Sequence, residues 1–321
     1  LPERDWFKVW ANGFNDLTPA DIKAANPNAQ CFVAYNFCGI PLDQDDGDYW
    51  RQCPLTVAAI NAADYWLYDD GDQKIDDGTD WFLDAGTAGF GDAVSAAIDA
   101  RLTGLGFDGV VFDYVPQPFT ALGGVTLRDY ASPTAYANAG AIELNDCTNI
   151  TDGLRFLGYR VIGNCIGETS DTEQWRLDNR LACDGADYEQ TVLDWDGTWL
   201  SAARVKEIID NARTDPLEVW TNEYGLCFTA DEVSAKRDAG FAAALMAAPM
   251  SGWRSHGNHN NVAGNIYWDS EWDYDLGEPL GLAVESPSYV WRRVFENGEI
   301  ILNYSAAAIE VWPQVSWPEL F

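Results

Sequence analysis

Along this chain, short apolar runs end on carboxylates, carboxamides and aromatics: Asn12, Asn36, Asp69 and Asp70, Asp113 with Tyr114, Asn164, Glu189, Glu223 and Asp269. Histidine occurs only at positions 256 and 259, together in a Gly/Asn/Ser-rich stretch read as a loop. A Ser-His-Asp triad is therefore poorly supported, and a His-ligated metal centre would have to be built from that one loop. Acids flanked by amides, Trp and Tyr fit another chemistry, the breaking of a glycosidic bond. One carboxyl protonates the leaving oxygen, a second attacks the anomeric carbon or activates water, and aromatic faces stack on sugar rings. Asp113 and Glu189 are the expected catalytic pair, 76 positions apart, or about two strand-and-helix units. Asn36, Asn164 and Tyr114 are expected donors to sugar hydroxyls. Trp220 and Trp268, with Trp10, are candidate platforms, and Asp69, Glu223 and Asp269 complete the polar lining.

The elements that must carry these residues alternate from end to end. Strands are expected at 6–14, 29–37, 66–70, 105–115, 159–165, 184–192, 216–224 and 262–270. Helices are expected between them, notably 18–28 behind a Thr and a Pro, 54–66, and 88–106 with glycine at its stop. Eight such alternations with continuous apolar strands predict an α/β fold, a (β/α)8 TIM barrel whose reactive residues gather at the C-terminal strand ends. An open doubly wound sheet fits less well, because "NGFNDLTPAD" after the first strand lacks the glycine-rich phosphate turn. The tail from 288 to 313 alternates and turns at Asn297-Gly298, a hairpin signal. The expected organisation is a barrel over 1–285 and a small C-terminal β extension over 286–321.

Composition narrows the partners. The 321 residues hold 19 Lys+Arg against 51 Asp+Glu, a net charge of −32, while 47% are hydrophobic. So much apolar content predicts a folded chain with an acidic surface rather than a disordered acidic tail. Only five residues are Lys and 35 of the acids are Asp, which suggests adaptation to high salt, in a halophile or a virus of one. Nucleic acid is not an expected partner, since no basic patch could neutralise phosphates. No apolar run is long enough for a membrane span. The Leu-Pro start fits a processed segment, and the expected location is secreted, extracellular or surface-exposed, including virion-associated. Seven widely spaced cysteines without a CxxC pair argue against structural zinc, and Cys38 to Cys53 is the easiest disulfide loop. The Asp clusters at 43–48 and 69–80 lack the glycine and final Glu of an EF-hand, so solvated loops are expected. No cofactor is called for, and any cation held there, such as calcium, would be structural.

Three ordered stretches carry a resemblance. "DWFLDAGTAGFGDAVSAAIDARLTGLGFDGVVFDYV" (80–115) contains Trp-x-x-Asp, a helix and a G-F-D-G-x-x-x-D run ending at Asp113. "ACDGADYEQTV" (182–192) contains Glu189, and "DLGEPLG…WRRVFENGEIILNYS" (275–305) closes the set. Together they resemble the hypothetical glycosyl hydrolase family 15 and relatives of the endo-α-1,4-polygalactosaminidases. The resemblance implies a (β/α)8 glycoside hydrolase with Asp113 and Glu189 on the matching positions. The leading expectation is action on an oligo- or polysaccharide such as a cell-envelope glycan, with Asp113 as nucleophile by analogy with barrels that carry one on strand four, Glu189 as acid/base and retained stereochemistry. The alternative is a non-catalytic carbohydrate-binding barrel, a host-glycan adhesin or virion surface protein. A third reading, a metal-dependent deacetylase or lyase, would need His256 and His259 joined to Asp269. Sugar identity and oligomeric state are not read from the sequence.

Overall fold

The computed structural model describes residues 6–10, 18–25, 27, 30–42, 53–149, 151–164, 174–189, 192, 199–214, 218–224, 239–240, 242–243, 245–247, 256–259, 276–305 and 314–316. The chain divides into two compact units, one of Glu3–Ile166 with Asp171–Gly185, the other of Leu1–Pro2, Gly167–Ser170 and Ala186–Phe321.

The first unit is α/β. Its strands β1 (Trp6–Trp10), β2 (Gln30–Asn36), β5 (Gly109–Asp113) and β6 (Arg160–Asn164) form a parallel sheet in the order β1-β2-β5-β6. Residues of both alternations along β2 and β5 are fully buried, among them Phe32, Val33, Tyr35, Val110, Val111 and Phe112. Their continuous apolar runs are what a sheet covered on both faces requires. The intervening helices are α1 (Pro19–Ala25), α2 (Val57–Ala63), α3 (Phe90–Leu102), α4 (Pro133–Cys147) and α5 (Gln174–Ala182). Local chemistry sets their starts. Thr56 Oγ1 accepts from Ala59 N at 3.1 Å to open α2, and Ser132 Oγ accepts from Ala135 N at 3.1 Å to open α4, with Pro133 in the first turn. The expected helix at 88–106 is shorter, ending at Leu102.

Two expectations are corrected here. Residues 66–70 are not a strand of the parallel sheet. They join an antiparallel excursion, bridging Leu83, Lys74 and Leu127 singly, beside the short pair β3 (Gly39–Pro41) and β4 (Asp80–Phe82). The apolar residues that suggested a strand, Trp66 and Leu67, bury themselves against this local layer instead. Nor do Cys38 and Cys53 form a disulfide: Cys31, Cys38, Cys53, Cys147 and Cys183 are all free and buried. The Cys38 thiol donates to the carbonyl of Tyr114, and burial pushes the Cys53 thiol up to about 12.

Strand β7 (Gly185–Glu189) follows Asp184, whose backbone N donates to Val161 O at 2.7 Å while its Oδ2 accepts from Val161 N at 2.8 Å. The second unit holds α6 (Ala202–Thr214) and the parallel pair β8 (Glu218–Tyr224) and β9 (His256–His259). The two histidines thus lie on a strand, not in the loop expected from their Gly/Asn/Ser neighbours. The strand expected at 262–270 lies outside the described residues. The tail is a four-stranded antiparallel sheet of β10 (Val284–Glu285), β11 (Val290–Phe295), β12 (Gly298–Asn303) and β13 (Gln314–Ser316). Its hairpin pairs Phe295 with Gly298, so Glu296-Asn297 form the turn, one residue earlier than the Asn-Gly signal suggested. Trp291, Phe295, Ile300 and Leu302 of this sheet, with Tyr304 just after β12, pack with Val205 and Ile209 of α6 into one core. Among the described residues, no helix is long and apolar enough to cross a membrane.

Candidate active site

Parallel strands bring their C-terminal ends to one edge, and in the first unit that edge carries Asn36, Asp113 and Asn164 at the ends of β2, β5 and β6. Asn36 and Asp113 are direct register partners. Asn164 Nδ2 donates to Asp113 Oδ1 at 2.9 Å, and the backbone N of Tyr114 donates to the same oxygen at 2.8 Å. The carboxylate is half-buried, whereas the two asparagines are 2% and 4% exposed, so the amides are fixed and the acid reaches solvent.

Tyr114 turns the chain sharply, with φ +48, a left-handed conformation unusual for an aromatic residue. The turn carries its ring back over Gly39, where a Cβ would lie 2.9 Å from Tyr114 Cδ1. Glycine at 39 is what lets the ring sit there. The Tyr114 hydroxyl donates to Asp77 Oδ2 at 2.9 Å and stands 3.4 Å from Asp80 Oδ2. Asn36 Nδ2 in turn donates to Asp80 Oδ1 at 3.4 Å. The result is a row of polar groups, Asp80, Asn36, Asp113 and Asn164, with Tyr114 bracing one end.

The carboxyls of this row differ in electrostatics. Burial pushes Asp80 above the ordinary carboxyl range, and the charges of Asp77 and Asp113 add to the push against hydrogen bonds from Thr79 and Tyr114. For Asp77 the burial effect is outweighed by hydrogen bonds from Thr79, the Asp80 backbone and Tyr114, which hold it below that range. Burial, then Asp77 and Asp80, push the Tyr114 hydroxyl up, so it stays protonated as a donor. An acid disposed to keep its proton beside one disposed to lose it is the division that acid–base chemistry uses.

Of the sequence-derived residues, the structure brings together Asn36, Asp113, Tyr114 and Asn164. Asp69 is elsewhere: its Oδ1 accepts from Gly71 N at 2.9 Å and Gln73 N at 2.7 Å, closing a turn in the antiparallel excursion. Glu189 is the last residue of β7, and Trp220 and Glu223 lie on β8, where Glu223 is in register with Asn258. Trp268 and Asp269 lie outside the described residues. Asp80 was missed, having been read as part of a solvated acidic loop. Its signal was the following "WFL", since alternation puts Asp80 on the face of buried Phe82.

A family model described as "Hypothetical glycosyl hydrolase family 15" matches residues 23–299. No curated protein sequence matches the chain. Among solved structures, a maltogenic α-amylase from Thermotoga neapolitana is similar at 11% identity and TM-score 0.48, over 89% of this chain and 67% of that one. Ega3 of Aspergillus fumigatus, in complex with galactosamine, is similar at 11% identity and TM-score 0.42, over 79% and 90%. A cycloisomaltooligosaccharide glucanotransferase of Paenibacillus sp., complexed with cycloisomaltoheptaose, shares 16% identity at TM-score 0.42 over 64% of this chain. This chain spans 28% of that enzyme's length.

Proposed function

This chain belongs to the hypothetical glycosyl hydrolase family 15, and on that premise we propose that it hydrolyses glycosidic bonds of an oligo- or polysaccharide through two carboxyl groups. In this reading the parallel sheet is part of a closed (β/α)8 barrel, and the substrate is a surface or cell-envelope glycan met outside the cell. Asp113 is the nucleophile and Glu189 the general acid/base, with net retention. The observation that carries the reading is the seating of Asp113. Among the described residues its hydrogen bonds fall on Oδ1, which orients the group and leaves Oδ2 for an anomeric carbon. Asn36 and Asn164 then donate their remaining amide hydrogens to sugar hydroxyls, the Tyr114 hydroxyl, its proton given to Asp77, accepts from one, and Trp220, Glu223, Trp268 and Asp269 are further candidate substrate contacts.

Asp80 supports a second assignment of the acid. It is buried beside Asp113 and biased toward its protonated form, as a group that must deliver a proton should be. The test is an activity screen on purified glycans comparing wild type with Asp113→Asn, Glu189→Gln and Asp80→Asn. A drop of more than about a hundredfold in released reducing ends is expected for Asp113→Asn and for Glu189→Gln. Azide rescue separates the roles: an acid/base variant recovers turnover as a glycosyl azide of retained configuration, a nucleophile variant as the inverted one. If Glu189→Gln is unaffected and Asp80→Asn is the rescued variant, the acid is Asp80. A chain that binds one glycan equally in all forms and cuts none is the carbohydrate-binding alternative.

A further inference from the structure

Beyond Asp113 the chain runs Tyr114-Val115-Pro116-Gln117-Pro118-Phe119 and borders a cavity of ≈ 310 Å³ lined by Gln117, Pro118, Phe119, Trp175 and Arg176. Both walls belong to the first unit: the loop leaving β5, and the first turn of α5, the helix that follows β6. They stand at the C-terminal edge of the parallel strands, the edge that carries Asn36, Asp113 and Asn164 and the side on which such sheets bind ligands. Gln117 is four positions beyond Asp113, within a reach of at most about 14 Å. The loop is held rigid. Prolines at 116 and 118 fix their own φ, Phe119 N donates to Gln117 O at 2.9 Å, and Leu122 N donates to Phe119 O at 2.9 Å. Asn179 Nδ2, fully buried on α5, donates to Pro116 O at 2.7 Å. On α4, a Cβ at Gly140 would lie 2.7 Å from Pro116 Cβ, so glycine there lets helix and loop touch. A loop fixed in this way loses little freedom when a ligand arrives.

Two of the lining side chains have capacity for a ligand. Among the described residues the Gln117 carboxamide has no hydrogen-bond partner, and it carries both an acceptor oxygen and a donor NH2. Phe119 is partly exposed and ends a run of rings, 4.8 Å from Phe82 at 37° and 5.6 Å from Tyr114 at 33°. Trp175 and Arg176 serve as walls. Trp175 is buried against Ala137 and Ala141 of α4, and Arg176 is already engaged, its guanidinium carbon 4.6 Å from the Trp175 ring centroid. The Phe119 ring offers an apolar surface on which the C–H face of a pyranose rests. The carboxamide matches two neighbouring hydroxyls, donating to one and accepting from the other. Among the described lining residues there is no carboxylate for an amino sugar, and the one cation is taken, so the chemistry suits a neutral ring. A volume near 300 Å³ is at the small end of ligand cavities, the size of a single ring with its substituents.

We propose that this cavity is a subsite for one neutral pyranose unit of the substrate, its ring on Phe119 and two adjacent hydroxyls on the Gln117 carboxamide. The proposal rests on the glycosidase reading of Asp113 and names the substrate class, an uncharged glycan long enough to reach from Asp113 to the cavity. Binding energy gathered here is remote from the bond that breaks, so it favours longer chains over short ones.

The test separates binding from turnover. In the Asp113→Asn background at about 1 M NaCl, where the chain's charge is screened, calorimetry measures binding of neutral gluco-, galacto- and manno-oligosaccharides of increasing length. Uronate and hexosamine oligosaccharides are the charged counterparts. At least one neutral series should contain a step at which one added unit tightens binding about tenfold. Gln117→Leu should cut that step to about threefold or less, and Phe119→Ala to within about twofold, while the oligosaccharide one unit shorter binds Gln117→Leu as before. Phe119 also touches Tyr114, so a disturbance of the Asp113 row would weaken short and long ligands alike, whereas loss of the subsite weakens the long ones alone. Phe119→Tyr keeps the ring and should keep the step, and thermal melts report whether each variant is folded. No such step in any neutral series, a step unchanged in folded Gln117→Leu or Phe119→Ala, or a charged series bound more tightly than every neutral one overturns the subsite. The two readings fail differently. Cleavage by wild type whose length dependence survives both substitutions removes only the subsite, whereas a Gln117-dependent binding step with no cleavage by wild type removes only the hydrolase.

Discussion

A strand-end aspartate acquires a specific job through its neighbours. Asp113 has a carboxamide on one side and the Asn36 register partner on the other, whereas Asp69, equally plausible from its place after an apolar run, is occupied with two turn amides. Asp80 shows the opposite case, an acid buried where ionisation is unfavourable. Its folded-state pKa is raised, so between the ordinary carboxyl value and the raised one the native state holds a proton that the unfolded state has lost. Stability is therefore highest below that window and declines as pH rises through it. Asp80→Asn removes the ionisation and should stabilise the protein at pH 7 by on the order of 1 kcal/mol. Melting curves should show a midpoint about 2–4 °C above wild type at pH 7, with the gain vanishing below about pH 4. A gain independent of pH would mean that the residue acts through packing rather than charge.

At the scale of elements, the site depends on a three-residue strand pair more than on any long helix. Gly39 of β3 makes room for the Tyr114 ring, and Tyr114 holds Asp77 and Asp80 of the facing excursion. In Gly39→Ala the new methyl meets the ring at 2.9 to 3.0 Å, so the ring must swing away from the acids. Activity should fall about tenfold or more, with a melting point lowered only by a few degrees. Ser132→Ala gives the contrast. It removes the N-cap of α4, should cost about 1 kcal/mol of stability, and should leave kcat unchanged in a steady-state assay. The same division explains what could be read from the sequence. The β2, β5 and β6 strands and the α3 helix were legible because each is a local pattern of apolar spacing ended by glycine, asparagine or aspartate, and with them came Asn36, Asp113 and Asn164. The β3–β4 pair was not legible, since three-residue strands carry no periodicity and their partners are about 40 residues apart in the chain. Asp80 was hidden with them, because its burial comes from that distant pairing and not from its acidic neighbours. The 66–70 run failed for a related reason: apolar spacing registers burial but does not say which partner provides it.

For the molecule as a whole, a net charge of −32 is the dominant physical fact. The described lysines with defined side chains are already engaged: Lys23 with Asp108 at 2.8 Å, Lys206 with Asp210 and Glu285, and Lys74 over the Trp66 ring. With 51 acids against 19 bases, most acids have no cation to themselves, and their repulsion acts over about 10 Å at 0.1 M salt but only about 3 Å at 1 M. We propose that the chain is adapted to high salt, consistent with a halophilic setting, and that screening is a large part of what keeps it folded. Its melting point should then rise by about 10 °C or more between 0.1 M and 2 M NaCl. Salt also strengthens apolar burial, so the rise alone does not identify charge as the cause. The discriminating variant neutralises three exposed acids away from the Asp113 row, Asp70→Asn, Asp76→Asn and Asp152→Asn, in one chain. If repulsion governs the salt response, the triple variant melts higher than wild type at 0.1 M NaCl and at the same temperature at 2 M. If salt acts through apolar burial, the two melting curves shift in parallel and the high-salt assignment fails.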